Sequence, residues 1–488
     1  MLVTSNRLVS LLAPAFALMV VAGASGQAIG PDMISSSHND VARNGVNAAG
    51  TITGYSIGAV TCNHGDMPAL VQVANSVRPH MGQGMYRLKT FTSSAGGSYQ
   101  RFEEIGQGWV KRIGLPVGGT GAGCGTCQPG APVNHTGVNC GDTYSSAFNT
   151  PGGMAPRTRL NAATGEFIGT VGGGTGDATV TTRLQVATAD VTSQPAGTRF
   201  FVETVHLLPH DAQYLRPGQS IAVNALNNAA SQEISINGGT SNPTLLNGLN
   251  QQIPAVERWK NLDPSVTLVT VDHDDTPNPA SPGTFIRCRY YIAAKAVALG
   301  AGGAGPWRYE YVVFNLNSDR SAGSFAIPLG AASTFAEFNF RHPLAHSGEV
   351  TSNDPWTSSR GATAIGFATQ KYVDNANANA IRWGTSYNFG FTSDAAPTTG
   401  PGLITLFKPG TVQALIVPGL PVPTVCTADV NADHVLTADD VIAYLDGFFN
   451  ANFTLADVVG LGGAGFPDGQ LTADDLVAFL SSFFAGCP

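Results

Sequence analysis

A stretch near the C-terminus has the composition and spacing of a cation loop. Asp429, Asn431, Asp433, Thr437 and Asp440 fall at positions 1, 3, 5, 9 and 12 of such a loop, and the carbonyl of Val435 falls at position 7. Ca²⁺ is a hard cation that wants several oxygen ligands, and this spacing wraps oxygens around one point. Two positions depart from an EF-hand: position 6 is His434 rather than Gly, and position 12 is Asp440 rather than Glu. The turn at position 6 needs a permissive backbone, and His tolerates positive φ better than a β-branched residue does. The competing reading is an acidic capped turn without metal. Thr437 followed by Asp440 is also a helix N-cap with an acidic partner. The two readings are compatible, because the last ligand of such a loop lies in the first turn of the helix.

The loop belongs to a duplication. LTADDVIAYLDGFF (Leu436 to Phe449) returns as LTADDLVAFLSSFF (Leu471 to Phe484), 35 residues later. Such a period is typical of repeated helical units. Val441, Ile442, Tyr444, Leu445 and Phe448 form an apolar stripe at helical spacing. In the second copy, counting back from Asp475 puts Thr472 at position 9, Gln470 at 7, Gly469 at 6 and Asp468 at 5. Positions 3 and 1 are then Phe466 and Ala464, which have no side-chain oxygen. Asp457 becomes the first ligand only if the segment VVGLGGAGFP bulges out of the loop; otherwise this copy is a structural turn.

Duplicated Asp-ended loop–helix units of this size resemble dockerin modules. The repeated TADD, the paired Phe residues and the terminal Gly486-Cys487 resemble more closely the dockerin-like tail of secreted proteins from planctomycete bacteria. The resemblance covers Cys426 to Pro488. It implies an all-α, Ca²⁺-stabilised module. In cellulosomal dockerins the helices bind a cohesin; the match does not imply that partner here, and the expected role is docking to a cohesin-like or cell-surface anchoring partner, with sorting as the alternative. The segments YSIGAVTCNHGD, MYRLK, RFEEIGQGW and CGDTYSSAFN resemble planctomycete secreted proteins of no known activity, which implies no catalytic residue.

Elsewhere, chemistry-bearing residues are scattered. His38, Asp40, Cys62, His64, Asp66 and His80 could converge as ligands or as an acid–base group, against a reading as polar surface and loop. Cys124, Cys127 and Cys140, with His135, suit either a zinc site or disulfides, and an exported chain favours disulfides. Cys426 and Cys487 bracket the tail and could staple it, and an odd total of 7 cysteines leaves one thiol over. His206 and His210 are separated by Pro209, which argues against a shared helical face. Asp272 to Asp275 form an acidic stretch read as a hairpin tip, with Ca²⁺ binding as the alternative. His342, His346 and Glu349 complete the inventory of metal-type side chains. There is no GxSxG elbow and no GxxxxGK[ST] phosphate loop.

The elements that must carry these residues are predicted to be mainly strands. Runs such as TRFFVETVHLLP, SVTLVTVDHD, TFIRCRYYIAAKAV and WRYEYVVFNLN, separated by turn residues, predict a sandwich or jelly-roll-like β body with a small C-terminal α module. In WRYEYVVFNLN the alternation changes phase at Val312 and Val313, which fits a bulge or a strand buried on both faces. Arg7, the apolar run Leu8 to Val21 and the site Gly26-Gln27-Ala28 predict a signal peptide, too short to span a membrane comfortably. The expected organisation is signal peptide 1–28, loop-rich cysteine-containing region 29–176, β-rich body 177–410, linker 411–425 with edge packing as its alternative, and dockerin-like module 426–488. Lys+Arg 25 against Asp+Glu 33, with no basic patch, excludes a nucleic-acid partner. No stretch after the signal is apolar enough for a transmembrane segment. The expected protein is secreted or at the cell surface. Its expected role is non-catalytic binding or structure, with a dockerin-targeted polysaccharide hydrolase as the alternative.

Overall fold

A computed structural model describes residues 28–72, 78–113, 119–149, 153–238, 240–329, 333–361, 364–431, 435–459, 466 and 469–486. Four β-sheets make the body, and the described chain ends in a pair of α-helices. The signal sequence call, residues 1–28, falls outside these residues except for Ala28.

Trp307–Asn315 lies at the centre of the six-stranded sheet. It pairs antiparallel with Phe285–Ala298 on one side and Thr385–Ser393 on the other, both in unbroken register. Its side chains alternate between two cores. Tyr309, Tyr311 and Val313 pack with Phe325, Ile327, Phe367, Ile404 and Val417 of a five-stranded sheet. Val312 and Phe314 pack with Tyr86, Leu88, Phe102, Phe201 and Val205 of the large sheet. The phase change in WRYEYVVFNLN is therefore a strand buried on both faces and not a bulge.

The large sheet has eleven strands. Its main path runs from Met33–Val46 through Ile52–Asn63, Leu184–Ala187, Ser98–Gln107, His80–Thr92, Arg199–Leu207 and Ala229–Ser235 to Thr244–Asn250. Strands from both sides of residue 176, the expected boundary between the loop-rich region and the β-rich body, thus share one sheet. The path curls almost into a barrel. Its two ends meet where Gln251 Nε2 donates to Ser36 O at 2.8 Å and Arg43 N–H donates to Asn242 Oδ1 at 2.9 Å. Tyr55, Ile57, Met85, Val186, Val202 and Ile234 fill the inside. Near-closure hides the hydrogen-bonding edges that an open sheet would leave.

Charged side chains cross the joint between the large and middle sheets. Arg101 Nε meets Glu310 Oε2 at 2.8 Å, and Arg308 Nε meets Glu310 Oε1 at 2.7 Å, all three residues being buried. Losing one partner of such a set strands a buried charge, which costs far more than the intact set contributes.

Three segments differ from their expected form. Met33–Val46, expected as polar loop, is a long strand with three register shifts against Ile52–Asn63. Asp272 to Asp275 lie within the strand Thr267–Pro277 rather than at a hairpin tip. Arg289 and Arg287 of the neighbouring strand hold Asp272 and Asp274, and Asp275 accepts from His273 and pairs with Arg320. These ion pairs occupy the carboxylates that the Ca²⁺ alternative needed. Ala414–Pro423 is the edge strand of the five-stranded sheet, with Leu415, Val417, Leu420 and Val422 in the core. That is the edge-packing alternative to the linker.

Candidate metal centre

Each tail helix starts with the same device. In Ala438–Phe449, Thr437 caps the helix: its Oγ1 accepts from Asp439 N–H at 3.2 Å, while Asp440 Oδ2 accepts from Thr437 N–H at 2.9 Å. In Ala473–Ala485, Thr472 Oγ1 accepts from Asp474 N–H at 3.2 Å, and Asp475 Oδ2 accepts from Thr472 N–H at 2.9 Å. These are capping boxes with Asp in place of Glu.

The other oxygen of each Asp draws the start of the loop toward the helix. Asp440 Oδ1 accepts from Val430 N–H at 2.9 Å and Asn431 N–H at 3.3 Å. Asp475 Oδ1 accepts from Val458 N–H at 2.9 Å and Val459 N–H at 3.0 Å. The residue preceding each pair is Asp429 in one repeat and Asp457 in the other, and both are buried. Asp457 therefore takes the place of Asp429. It lies 18 residues before Asp475, against 11 for Asp429 and Asp440, so the second loop carries an insertion. Asp457 Oδ2 also accepts from Gly469 N–H at 2.7 Å, and Gly469 has φ +79, the left-handed turn expected at position 6.

The expected ligands Asp429, Asn431, Val435, Thr437 and Asp440 are described in the first loop, and Asp457, Gln470, Thr472 and Asp475 in the second. Asp433, His434 and Asp468 lie outside the described residues. Among the described residues, no group of three or more His, Cys, Asp or Glu side chains is gathered for a metal. The donor set fits Ca²⁺ in kind: carboxylates, an amide, hydroxyls and carbonyls, with no soft ligand.

The helices are joined by aromatic packing. The Tyr444 and Phe479 rings stack, Phe448 and Phe483 pack beside them, and Tyr444 Oη donates to Ala456 O at 3.2 Å. Burial, with the Asp475 and Asp457 carboxylates nearby, raises the Tyr444 phenol well above its ordinary pKa. Other apolar side chains stay outside: Ile442 and Phe449 on the first helix, Val477 and Phe484 on the second, are 62% to 82% exposed. They occupy equivalent positions in the two repeats.

The other candidate clusters do not assemble. Cys62 pairs with Cys124 and Cys127 with Cys140, so the zinc alternative loses its thiolates. Cys426 is disulfide-bonded, and its expected partner Cys487 lies outside the described residues. Cys288 is a buried free thiol. His38 and His80, expected on polar surface, are buried in strands of the large sheet. His38 Nε2 bonds Thr204 Oγ1 and His206 Nε2 bonds Thr61 Oγ1, each at 3.0 Å, and His80 stacks on Phe167. Burial lowers all three imidazoles to about 3, so they are neutral. Asp40 instead accepts from Ser146 and Asp66 from Gly30. His346 Nε2 is held by Gln107 O at 2.8 Å, and Glu349 caps Arg157 N–H and Thr158 Oγ1.

Two buried carboxyls had no signal in the sequence. Glu203 accepts from Tyr86 Oη at 2.8 Å and from Ala255 N–H at 2.5 Å, and Glu104 accepts from Ser386 N–H at 2.5 Å. Burial pushes Glu203 up to about 7 and Glu104 well above the usual carboxylate range. Their partners lie far away along the chain, up to 282 residues for Glu104 and Ser386, so only the fold brings them together.

No family model, curated protein or solved structure matches the chain.

Proposed function

We propose that the protein is an exported binding or structural protein whose C-terminal repeats form a Ca²⁺-stabilised, dockerin-like docking module. The observation that carries this reading is the equivalence of Asp429 with Asp457 and of Asp440 with Asp475. In both repeats the last loop carboxylate holds the first loop residues by backbone hydrogen bonds. The start of each loop is thereby held to the first turn of its helix, so that binding of Ca²⁺ would be coupled to the order of the helices. Ile442, Phe449, Val477 and Phe484 support a docking role. A repeated apolar pair left outside on each helix suits a partner with an apolar, cohesin-like face.

The test is calorimetric Ca²⁺ titration of the mature chain beside an Asp429→Ala/Asp440→Ala double variant. The wild type is expected to bind Ca²⁺ and to gain thermal stability in the tail, and the variant to lose the first site. Absence of Ca²⁺ binding in the wild type would overturn the proposal.

A further inference from the structure

A cleft of about 500 Å³ opens on the body, lined by Leu70, Glu166, His210, Tyr214, Leu215 and Ser281 among others. We propose that this cleft binds a neutral polyhydroxylated ligand, a saccharide unit. The tail module plays no part in it.

The walls come from four separate segments and are locked together. Gln213 Nε2 donates to Thr164 O at 2.8 Å, fixing the Glu166 loop to the short helix Pro209–Ala212. Asn278 Nδ2 donates to Gln213 O at 3.0 Å, fixing the turn that carries Ser281. Gly165 has φ +72, and a Cβ there would lie 2.7 Å from the Leu208 carbonyl carbon, so only glycine lets the loop approach this closely. The Tyr214 ring lies against Gly30, where a Cβ would fall 2.2 Å from a ring carbon. The cleft is thus built before any ligand arrives, which lowers the cost of binding.

Its polar groups select the chemistry. Leu70 N–H donates to His210 Nδ1 at 2.9 Å. That bond requires a bare Nδ1, so the neutral ring carries its proton on Nε2 and offers a donor. It also bars metal ligation through Nε2, which would leave Nδ1 protonated against the Leu70 N–H. Burial and nearby His135 lower the His210 pKa, in the same sense. Among the described residues no Lys or Arg lines the cleft, and Glu166 is an exposed carboxylate at its rim, so an anion is disfavoured. A hydroxylated ring answers the mixture that remains. Its C–H face packs on Tyr214 and Leu215, one hydroxyl accepts from His210, and others donate to Glu166.

The test is saturation-transfer difference NMR on the mature full chain with cellobiose and maltose, using choline as a cationic control. Transfer from at least one disaccharide is expected. Glu166→Gln, at an exposed position, should weaken that binding ~10-fold, the size of losing one charge-assisted hydrogen bond. Tyr214→Leu should abolish it, with the melting curve of each variant recorded beside it. No transfer from either sugar, transfer unchanged in both variants, or transfer from choline alone would each overturn the proposal.

Discussion

The rings of Tyr444 and Phe479, one from each tail helix, lie 4.0 Å apart at the centroids and 5° from parallel. They sit at equivalent positions of the two repeats, so the duplication meets itself at its own centre. Phe479→Ala should remove about 3–5 kcal/mol from the tail, the usual range for a buried Phe truncated to Ala. The helices would then melt before the body, seen as loss of far-UV helical signal in a thermal scan of the full chain while the β signal persists.

Asp457 predicts the ion count. Because Asp457 stands where Asp429 stands, titration of the mature chain should show two Ca²⁺ sites, and Asp457→Ala should leave one. Asp440→Ala should remove the first site and also destabilise its helix by about 2 kcal/mol. That figure combines a lost cap with backbone donors left unpaired at Val430 and Asn431. Calorimetry and thermal melts in chelator separate the two effects, since only the second survives without metal.

Glu203 predicts a pH dependence of the body. Burial raises its folded pKa to about 7 from an ordinary 4.5. Between those values the folded state binds more protons than the unfolded state, so this group's contribution to stability falls as pH rises from 4.5 to 7. His38, His80 and His206 act in the opposite sense. Their folded values near 3 lie below the ordinary 6.5, so their contribution is lost as pH falls from 6.5 toward 3. Glu203→Gln should flatten the decline on the neutral side and leave the acid limb in place. Denaturant midpoints measured across a pH series would show it. An unchanged neutral limb would mean that Glu203 is already ionised in the folded protein.

Cys288 should be silent until the body opens. Its thiol is fully buried beside Thr276 Oγ1, and burial pushes it up to about 12. A maleimide should therefore not label it in native buffer and should label it in denaturant without reductant. Labelling under native conditions would show that the middle sheet opens locally.

The tail was legible in the sequence because its information is local. The capping residue, the loop carboxylates and the helical stripe all fall within one repeat; the structure forms the capping box of Thr437 and Asp440 and buries Tyr444, but turns Ile442, read into the same stripe, out to solvent. The body's mainly β character was legible for the same reason, through strand-like runs bounded by turn residues, such as TRFFVETVHLLP around Arg199–Leu207. Met33–Val46 was not. Its register shifts at Ser35/Ser37, His38/Asp40 and Arg43/Gly45 break the period, and its inward residues include Ser35 and His38 rather than apolar side chains. Glu104 and Glu203 had no local mark either, and neither did the cleft beside His210, whose walls join residues near 70, 166, 210 and 281.

The two-sided burial of Trp307–Asn315 also sets a timetable. The middle sheet is complete only when Thr385–Ser393 has been made, and both flanking cores lean on it. A growing chain that has reached residue 300 has all eleven strands of the large sheet, with Trp259 and Tyr291 beside Tyr86, Phe102 and Phe201, but lacks Val312 and Phe314, which complete that core. The uncovered part of that core must wait until the middle sheet is completed, roughly another hundred residues, a long interval for apolar surface to stay in water. The body is therefore expected to fold late and all at once. A chain truncated before residue 393 should accumulate as aggregate rather than as a smaller folded domain.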